Sequence, residues 1–521
     1  MANPSAIALV AEHPILLLVV VLVGYLLHNR YRENLSRFEG PWYSSLSSIG
    51  TLYQTWADGD ELPYIHLHHK YGKVVRIGPK KLSFAQPQAI RDIYGPQGIG
   101  EKSDFHIAHQ QIANGVTIRT LFASTDKQWH DDVRRCVASA YSMSSMVQYE
   151  ALVDESIGVL LAQLGDRFAD KPGNAGVVDF PRWLHFFADD AITCVAYGKR
   201  IGHMEAGEDI EGMLAYGIMD SKRSMLIGQA IWLELFGRRN PAYLWLQRQG
   251  YFRESDVPLS VKFATTHQAE RRRLRAQGKK DNDSGLATLT DKFLSSSAAH
   301  PEVVGDDEVL AMGLSIVAAG SDTTGISLSA LFYHLMQNPD RQRKLIAEVD
   351  AALPTRQTTL TFAQAQKLPY LTACIKETFR LHPATRYAPE RVTPPHGHTI
   401  AGQQIPGGTV VFVSAWVIHR DPEIYGDDVD TFRPERWLEG DAEHIKTMER
   451  SLFHFGIGNY SCLGKNVALL EMYKVVPALL RRFEISFADP KNTRWSYDFG
   501  TFVTVKDFNV RLSSRIPSFG V

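Results

Sequence analysis

An uninterrupted apolar stretch marks the beginning of the chain. Pro14–Leu27 reads PILLLVVVLVGYLL, and with the apolar residues upstream of it Ile7–Leu27 counts 21 residues. At about 1.5 Å of rise per residue, a helix of that length crosses the hydrocarbon core of a bilayer. Arg30, Arg32 and Arg37 follow the stretch and no Lys or Arg precedes it, so the positive-inside rule leaves the bulk of the chain in the cytosol. The pattern predicts one uncleaved membrane anchor.

Two other interpretations of this stretch remain, a cleaved signal peptide and a buried core helix. A signal peptide needs a basic start and a small-residue cleavage site, and the sequence shows neither clearly. The polar residues Glu12 and His13 weaken the anchor, because they interrupt its apolar run.

Helical spacing of apolar residues dominates Tyr141–Leu381. The clearest case is Asp306–Asn338, in which Asp306 can cap the start, acidic residues fill the first turn and Pro339 stops the run. These 33 residues predict a helix of about 50 Å, long enough to cross a large domain.

Alternating, strand-like patterns are few and short. They are Val74–Ile77, Leu82–Phe84, Gly408–Val413 and Phe502–Val505. Asn174–Gly176 and Lys279–Ser284 are polar stretches typical of loops between helices, and no long Gly/Ser-rich or Pro-rich linker divides the chain. The patterns therefore predict a mainly α protein with small β-sheets, divided into an anchor at 1–28, a linker at 29–45 and one catalytic domain at 46–521.

Composition and charge exclude several classes of protein. The 521 residues are 44% hydrophobic and 22% charged, which excludes wholesale disorder. Lys and Arg total 56 against 57 for Asp and Glu, so the chain is no globally basic nucleic-acid binder, and the basic run Arg271–Arg273 is interpreted as a solvated helix face. The four cysteines lie far apart, which argues against a disulfide framework.

One of those cysteines lies in a glycine-bent loop before a helical run. The loop reads Phe455-Gly-Ile-Gly458-Asn-Tyr-Ser-Cys462-Leu-Gly464. Gly458 permits a turn that side chains would block, and Gly464 lets the backbone approach a flat cofactor closely. The following helix directs its first amides toward the sulfur, which is expected to lower the pKa of the thiol. A thiolate is a strongly donating axial ligand of heme iron and favours O–O cleavage.

This loop resembles the heme-binding loop of the cytochrome P-450 family, and the chain is similar over nearly its whole length to the fungal membrane-bound type that includes pisatin demethylase. The resemblance implies a prism-shaped fold in which heme b lies between the long central helix and the cysteine loop. It also implies that Cys462 is the axial iron ligand, with Phe455, Gly458 and Gly464 as residues of the cofactor-binding loop.

Tyr460 departs from the family pattern. Two residues before the cysteine the family usually has Arg or His, which contacts a heme propionate, whereas a phenol donates one hydrogen bond and carries no positive charge at neutral pH. Weaker heme binding or an altered potential is expected.

A polar segment interrupts the middle of the long helix. Ala319-Gly320-Ser-Asp322-Thr323-Thr is a poor helix centre by propensity, and such local violations often mark functional sites. Asp322 and Thr323 supply an acid and a hydroxyl that can relay protons to dioxygen, and they match the acid–alcohol pair of the family. The alternative is a polar helix face in which Thr323 hydrogen-bonds to the carbonyl four residues earlier.

Three further residues match a structural triad of the family. Glu377 and Arg380 share a helix face, and Arg436 follows in the stretch FRPERW. The resemblance implies that they hold the core beneath the heme loop, as structural residues that are needed for heme incorporation.

The propionates of a heme need cations or donors. His130 and Arg134 are four residues apart and share a helix face, in a Trp/His-x-x-x-Arg element of the family where Trp129 lies one position early. Arg391 matches the Arg on the first strand after the helix that bears the glutamate. The resemblance implies that His130, Arg134 and Arg391 bind the cofactor. His419 is interpreted as a core histidine whose hydrogen bonds are satisfied.

Electrons must come from another protein, because the chain has no flavin, nicotinamide or iron–sulfur fingerprint. The resemblance implies the membrane-bound NADPH–cytochrome P-450 reductase. Lys465, Lys474, Arg481 and Arg482 follow the heme cysteine and are candidates for its docking surface, with ordinary solubilising charges as the alternative.

The resemblance also points to four largely apolar zones around the substrate, as a lipophilic small molecule requires. They are Ile112–Ser124, Met225–Trp232, Ala384–Ala388 and Phe499–Phe502. Arg386 lies inside one of them and could pair with a substrate carboxylate or phenolate, or turn toward water or a propionate.

The resemblance implies a heme-thiolate monooxygenase of fungal secondary-metabolite biosynthesis. It would oxidise a lipophilic small molecule with dioxygen, by hydroxylation, demethylation or oxidative coupling, as a single-pass protein of the endoplasmic reticulum membrane with its catalytic domain in the cytosol. Two alternatives stay open. A heme-binding sensor or scaffold without turnover is suggested by Tyr460, and a heme-thiolate peroxide isomerase is disfavoured by the acid–alcohol pair.

Overall fold

The computed structural model describes residues 14–57, 64–113, 115–251, 259–278, 287–353 and 359–515. Its α-helices, in chain order, are α1 Pro14–Tyr31, α2 Ser48–Ala57, α3 Ile65–Tyr71, α4 Pro87–Tyr94, α5 Lys127–Val137, α6 Met143–Phe168, α7 Phe180–Tyr197, α8 His203–Ala206, α9 Met213–Ile227, α10 Pro241–Arg248, α11 Leu259–Ala276, α12 Leu289–Ala299, α13 Asp306–Gln337, α14 Pro339–Ala352, α15 Phe362–Ala365, α16 Pro369–Leu381, α17 Ala415–Ile418, α18 Pro422–Tyr425, α19 Ala442–Ser451 and α20 Lys465–Arg482. The mainly α architecture predicted from the sequence is confirmed.

The strands are short and form five small sheets. In chain order they are β1 Val74–Gly78, β2 Lys81–Phe84, β3 Gln111–Ala113, β4 Val116–Ile118, β5 Val177–Asp179, β6 Arg391–Val392, β7 His398–Ile400, β8 Gln403–Ile405, β9 Val410–Val413, β10 Phe483–Phe487, β11 Ser496–Phe499, β12 Val503–Lys506 and β13 Asn509–Ser514. The largest sheet has the order β1-β2-β9-β6, with β2 and β9 parallel and the other pairs antiparallel. A second sheet has the order β10-β13-β5.

Each predicted strand overlaps an observed one. The prediction Gly408–Val413 begins two residues too early, because Gly408 has a φ of 70° and belongs to the turn before β9.

The predicted long helix exists as α13, but its first turn differs from the prediction. Gly305 is the N-cap, and its amide donates to the Glu308 carboxylate at 3.0 Å. The prediction that Asp306 caps the helix is therefore wrong: Asp306 is the first helical residue and forms an ion pair with Arg272 at 2.5 Å.

The basic run on α11 also differs from its interpretation as a solvated face. Arg271 is buried and donates through Nε to Asp291 at 3.1 Å, while Arg272 reaches Asp306. The run therefore ties α11 to the starts of α12 and α13.

Helix α7 packs along α13 at unusually close range. All residues of α7 except Arg182 are buried, as expected of a helix enclosed on every side. Glycines on α13 make the approach possible: a Cβ at Gly320 would lie 2.6 Å from Ile192, and one at Gly325 would lie 2.8 Å from His185.

Helix α1 covers the described part of the predicted anchor. Its apolar side chains are exposed, and only 6% of the candidate span Pro14–Arg37 is buried. Helix α13 is also long and apolar enough to cross a membrane, but 61% of it is buried, so it is a core helix. Residues 7–13 and the predicted loop Lys279–Ser284 lie outside the described residues.

The end of α1 is fixed to the rest of the fold. Asn29 donates to the Leu46 carbonyl at 2.8 Å. The buried Arg76 of β1 donates to the carbonyls of Asn29 at 2.6 Å and Arg30 at 2.7 Å. A guanidinium at a helix C-terminus satisfies its free carbonyls and complements its dipole.

Candidate functional site

The cysteine loop is folded tightly enough to fix one sulfur atom. The Cys462 amide donates to the Phe455 carbonyl at 2.7 Å. Gly458 has a φ of 66°, and a Cβ there would lie 2.3 Å from the Tyr94 carbonyl oxygen. Gly464 is the N-cap of α20, so the amides at the start of this helix point at the sulfur.

The charge state of this thiol follows from competing effects. Burial raises the pKa of Cys462, and the amides of Gly464 and Lys465 and the Arg134 guanidinium oppose that rise. The amides act in the predicted direction, but the expected net lowering of the pKa is wrong, because burial is the largest effect. A metal ion at the sulfur would reverse that balance, since a coordinated thiol is deprotonated.

An internal void borders the sulfur. Cys462 is enclosed by protein, yet its side chain is solvent-accessible. Ala318 and Ala319, in the middle of α13, are also exposed, although Val317 and Ser321 beside them are buried. A flat macrocycle bound between the thiol loop and this core helix would cover both of these accessible stretches.

Two buried cations, Lys102 and Arg391, and the partly buried Arg134 lie at one edge of this site. Lys102 donates to the carbonyls of Leu121 at 2.8 Å and Phe122 at 2.9 Å. Arg134 donates to the Ser461 hydroxyl at 3.1 Å, and Arg391 donates to the Glu390 carbonyl at 2.8 Å while its buried Nε has no partner among the described residues.

These cations repel one another. The pKa of Lys102 is lowered to about 7, mainly by burial and further by Arg391 and Arg134. Within the described part of the chain none of the three forms an ion pair with a carboxylate. Uncompensated buried charge is costly, so this cluster fits the carboxylates of a bound group.

Tyr460 lies in the middle of that cluster. Its ring centroid is 4.3 Å from Arg391 Cζ and 5.0 Å from Lys102 Nζ, and the ring packs on His130 at 4.4 Å. Its hydroxyl donates to the Gly100 carbonyl at 2.6 Å. The phenol therefore carries no free donor toward a propionate, and its ring face stabilises the neighbouring cations instead.

His130 is held as a neutral ring. Burial lowers its pKa to about 4, and Nδ1 lies 3.0 Å from the carboxylate of Asp131, so Nδ1 donates. Nε2 would need a second proton to donate to a propionate.

The acid and alcohol lie in the middle of α13. Burial raises the pKa of Asp322, and His185 partly opposes the rise. The Thr323 hydroxyl donates to the Ala319 carbonyl at 2.9 Å, which is the back-bonding geometry considered as the alternative. Its oxygen lone pairs remain available as acceptors.

The structure brings the predicted triad together in the core. Glu377 accepts from Arg380 at 2.9 Å, from Arg436 Nε at 2.9 Å and from Trp437 Nε1 at 2.9 Å. Arg380 also donates to the His419 carbonyl at 2.9 Å. His419 itself accepts from the Phe453 amide at 3.1 Å, just ahead of the cysteine loop.

The predicted substrate zones contact one another. Thr385 and Phe502 form a β-bridge, and Gly228 is packed so closely on Phe105 that a Cβ would lie 2.5 Å from the ring. Arg386 is buried, donates to the Thr55 carbonyl at 3.3 Å and lies 5.3 Å from the Phe499 ring.

Two histidines of the same region are absent from the sequence-based prediction. His106 Nε2 lies 3.0 Å from the Tyr387 hydroxyl, and His109 Nε2 lies 2.8 Å from the Thr501 hydroxyl. Burial lowers the pKa of both rings, that of His109 to about 4. Their sequence, DFHIAH, carries no motif that would reveal them.

Glu471 on α20 is also missed. It is fully buried, neither carboxyl oxygen has a hydrogen-bond partner among the described residues, and burial raises its pKa to about 8. Thr324 of α13 is the polar group that faces it.

The prediction that Lys474 and Arg481 belong to a docking surface is wrong. Lys474 is buried and pairs with Glu150 at 2.8 Å, and Arg481 pairs with Asp350 at 2.8 Å. Lys465, just after the cysteine loop, is exposed.

Comparisons with known proteins agree with the geometry. A family model described as Cytochrome P450 matches residues 45–507. Cytochrome P450 monooxygenase cicH of Emericella nidulans is 37% identical over 490 residues, which cover 93% of this chain and 95% of the relative. A cytochrome P450 monooxygenase of Aspergillus terreus is 36% identical over 489 residues, with the same two coverages. Cytochrome P450 monooxygenase pkfB of Emericella nidulans is 31% identical over 519 residues, covering 99% of this chain and 98% of the relative.

Proposed function

The chain belongs to the cytochrome P450 family, and from that premise we propose that it oxidises a lipophilic small molecule with dioxygen and electrons from a separate NADPH–cytochrome P450 reductase. Hydroxylation, demethylation and oxidative coupling are the reaction types within this proposal. The fungal origin of the similar monooxygenases supports a role in secondary-metabolite biosynthesis.

One observation carries the proposal: an enclosed cysteine at the start of α20 borders a void edged by uncompensated cations. Cys462 would ligate the iron of heme b, with Phe455, Gly458 and Gly464 shaping the loop beneath it. Arg134, Arg391 and Lys102 would hold the propionates, and His130 would join them only when protonated. When bound, thiolate-ligated heme supplies the redox chemistry that divides dioxygen between substrate and water.

The residues of α13 supply protons for this reaction. Hydroxylation and demethylation place one oxygen atom in the substrate and reduce the other to water with two electrons and two protons. Oxidative coupling uses the same two electrons and two protons together with two substrate hydrogen atoms, and both oxygen atoms become water. Burial raises the pKa of Asp322, which favours the protonated form that the relay needs. The Thr323 hydroxyl passes that proton on by turning away from the Ala319 carbonyl, its present acceptor.

The surroundings of the substrate favour a neutral, lipophilic molecule. Phe105 stacks on Tyr387 at 5.4 Å, and His106 and His109 are uncharged because burial lowers their pKa values. Arg386 already contacts the Thr55 carbonyl and the Phe499 ring, so its charge has protein partners.

We assign the protein to the endoplasmic reticulum membrane, as a single-pass protein with an anchor at 1–28, a linker at 29–45 and a cytosolic catalytic domain at 46–521. A second apolar surface around α2 and the segment 228–236 supports contact with the bilayer. Its exposed aromatic side chains are Trp42, Trp56, Trp232 and Phe236. Trp232 donates to the Ser48 hydroxyl at 3.0 Å, which joins the segment 228–236 to α2, close in sequence to the end of α1. Aromatic side chains of this kind favour the membrane interface.

The docking surface for the reductase lies near the cysteine loop in this proposal. Lys465 and Arg135 are exposed there, and an acidic flavoprotein would be steered to them.

Turnover of the full-length protein with a reductase tests the proposal. Candidate pathway intermediates are supplied with NADPH and labelled dioxygen, and we expect NADPH consumption in step with an oxidised product. The label should appear in the product of a hydroxylation, in formaldehyde released by a demethylation, and only in water for a coupling. Heme binding without product from any candidate would favour a sensor or scaffold, and unchanged activity in Asp322→Asn would favour a peroxide isomerase.

A further inference from the structure

A second buried carboxyl group lies beside the active site on α7. Asp189 is fully buried, and neither of its oxygens has a hydrogen-bond partner among the described residues. Native proteins rarely retain such a group without a reason, because an unpartnered buried polar atom costs stability.

The packing of α7 on α13 places Asp189 against the proton-supplying residues. His185, Asp189 and Ile192 share one face of α7, since they are four and three residues apart. His185 contacts α13 at Gly325, and Ile192 contacts it at Gly320. Asp189 therefore faces the α13 residues between those glycines, which include Ser321 and Asp322.

The other side of Asp189 is met by a histidine from α8. His203 is fully buried, and its Nε2, which has no other partner among the described residues, lies 3.8 Å from Asp189 Oδ2. His203 Nδ1 lies 3.2 Å from the Ile210 amide, which can donate to it, and 3.2 Å from the Glu208 carbonyl, which can accept from it, so each ring tautomer has a partner. In the tautomer that accepts from Ile210, the ring proton lies on Nε2 and points at Asp189. The same Nδ1 borders the turn that contains the exposed Glu208.

We propose that Asp189 and His203 form the inner part of a proton path that refills Asp322 from the surface, and this inference rests on the proposed role of Asp322. The Asp189 carboxyl O–H passes its proton to the Asp322 carboxylate. Solvent at the turn 208–210 protonates His203 Nδ1, and the resulting imidazolium passes its Nε2 proton to Asp189. His203 is left with its proton on Nδ1, which the Glu208 carbonyl can accept, and it regains the Nε2–H form by tautomerisation before the next cycle. No electron moves in these steps. Asp189 acts through Asp322 and is a positioning residue.

The charges around Asp189 fit this role. The titratable groups that face it or its neighbours are His185 and Asp190 on α7, His203 on α8, Asp209 before α9 and Asp322 on α13. Burial raises the pKa of Asp189 well above its usual value, and Asp322 raises it further, which favours the protonated carboxyl group that the path requires.

The hydrogen bonds of Ser321 and Asp190 show how these two neighbours of Asp189 are already engaged. Ser321 donates its hydroxyl proton to the Val317 carbonyl at 3.0 Å, so a bond between Asp189 and Ser321 needs the proton of Asp189. Asp190 accepts from the amides of Gly202 at 2.7 Å and Met204 at 2.9 Å, and is thus committed to holding the start of α8.

The test compares full-length holoenzyme carrying Asp189→Asn, His203→Gln or Asp322→Asn, with Asp190→Asn as the matched control. For Asp189→Asn and His203→Gln we expect product formation to slow about tenfold, less than the about hundredfold expected of a direct proton donor. The solvent deuterium isotope effect should rise in both. The infrared carboxylic-acid absorption of the wild type at neutral pH should lose the component of Asp189 in Asp189→Asn, independently of turnover, while the component of Glu471 remains. Asp190→Asn should change stability and leave the isotope effect unaltered.

The outcomes separate the two proposals. If Asp322→Asn slows turnover while Asp189→Asn and His203→Gln leave the rate and isotope effect unchanged, the path is wrong and the role of Asp322 stands. If Asp322→Asn has no effect on turnover, the proposed role of Asp322 as a proton source is wrong, and the path that depends on it is wrong as well. Persistence of the full infrared band in a folded Asp189→Asn protein would overturn the protonated state on which the path depends.

Discussion

Replacing Glu471 by glutamine removes a buried carboxyl group whose protonation links folding to pH. Burial raises its pKa from 4.5 to about 8. In the unfolded chain the group ionises near its ordinary pKa, so between these pH values the folded protein holds a proton that the unfolded chain releases. Stability therefore falls as pH rises through this interval. A single proton costs about 1.4 kcal/mol per pH unit, which amounts to about 5 kcal/mol across the interval.

The assay is urea unfolding of the wild type and of Glu471→Gln at several pH values, followed by tryptophan fluorescence and the heme band. Glutamine has nearly the shape of the protonated acid but does not titrate. From about pH 5.5 to about pH 7.5, the variant should gain about 3 kcal/mol relative to the wild type. Other titrating groups are common to both proteins and cancel in the difference.

Glu449→Gln is the matched control, since Glu449 is half-exposed and pairs with Lys376 at the surface. Its difference from the wild type should stay within about 1 kcal/mol at every pH. A constant gap between wild type and Glu471→Gln across the pH range would refute the reasoning, because it would mean that Glu471 titrates in the folded protein as it does in the unfolded chain.

Three further predictions concern the buried triad, the cation cluster and the membrane contact. Glu377→Gln leaves Arg380 and its neighbours without their carboxylate, so it should cost about 3–5 kcal/mol and lower the heme content per protein, measured by pyridine hemochrome. Lys102→Met should speed heme transfer to apomyoglobin about tenfold if about 1.4 kcal/mol of propionate binding is lost, whereas Lys465→Met, at an exposed position, should leave it unchanged. Protein lacking α1 should still sediment with phospholipid vesicles because of its exposed aromatic surface, and complete release would place all membrane affinity in α1.

Features that depend on one element could be predicted from the sequence. The length of α13 follows from apolar spacing and from Pro339, and the cysteine loop follows from glycine spacing before a helix. Two of the three triad residues, Glu377 and Arg380, share one helix face and could be predicted from one element, whereas Arg436 comes from a separate segment. The cap of α13 was misplaced by one residue because Glu308 caps through its side chain from inside the helix.

Features that depend on tertiary pairing could not be predicted. Lys102 joins the cation cluster because it forms a β-bridge with Arg391, nearly three hundred positions away. The sequence predicts Lys474 as a surface cation, but in the fold Glu150 on α6 lies beside it and forms an ion pair with it. Glu471 and Asp189 have ordinary sequence neighbours, and only the crossing of helices α20 and α7 with α13 shows that they are buried.

The reduced, carbon-monoxide-bound absorption spectrum tests the central claim most directly. Full-length wild type, Cys462→Ser and Tyr460→Arg are compared at equal protein concentration. The account predicts the red-shifted Soret band of thiolate-ligated heme in the wild type and in Tyr460→Arg, because Lys102, Arg134 and Arg391 already supply the cations that Tyr460 lacks. It predicts loss of that band in Cys462→Ser. A red-shifted band that survives in Cys462→Ser, or one that appears only in Tyr460→Arg, would contradict it.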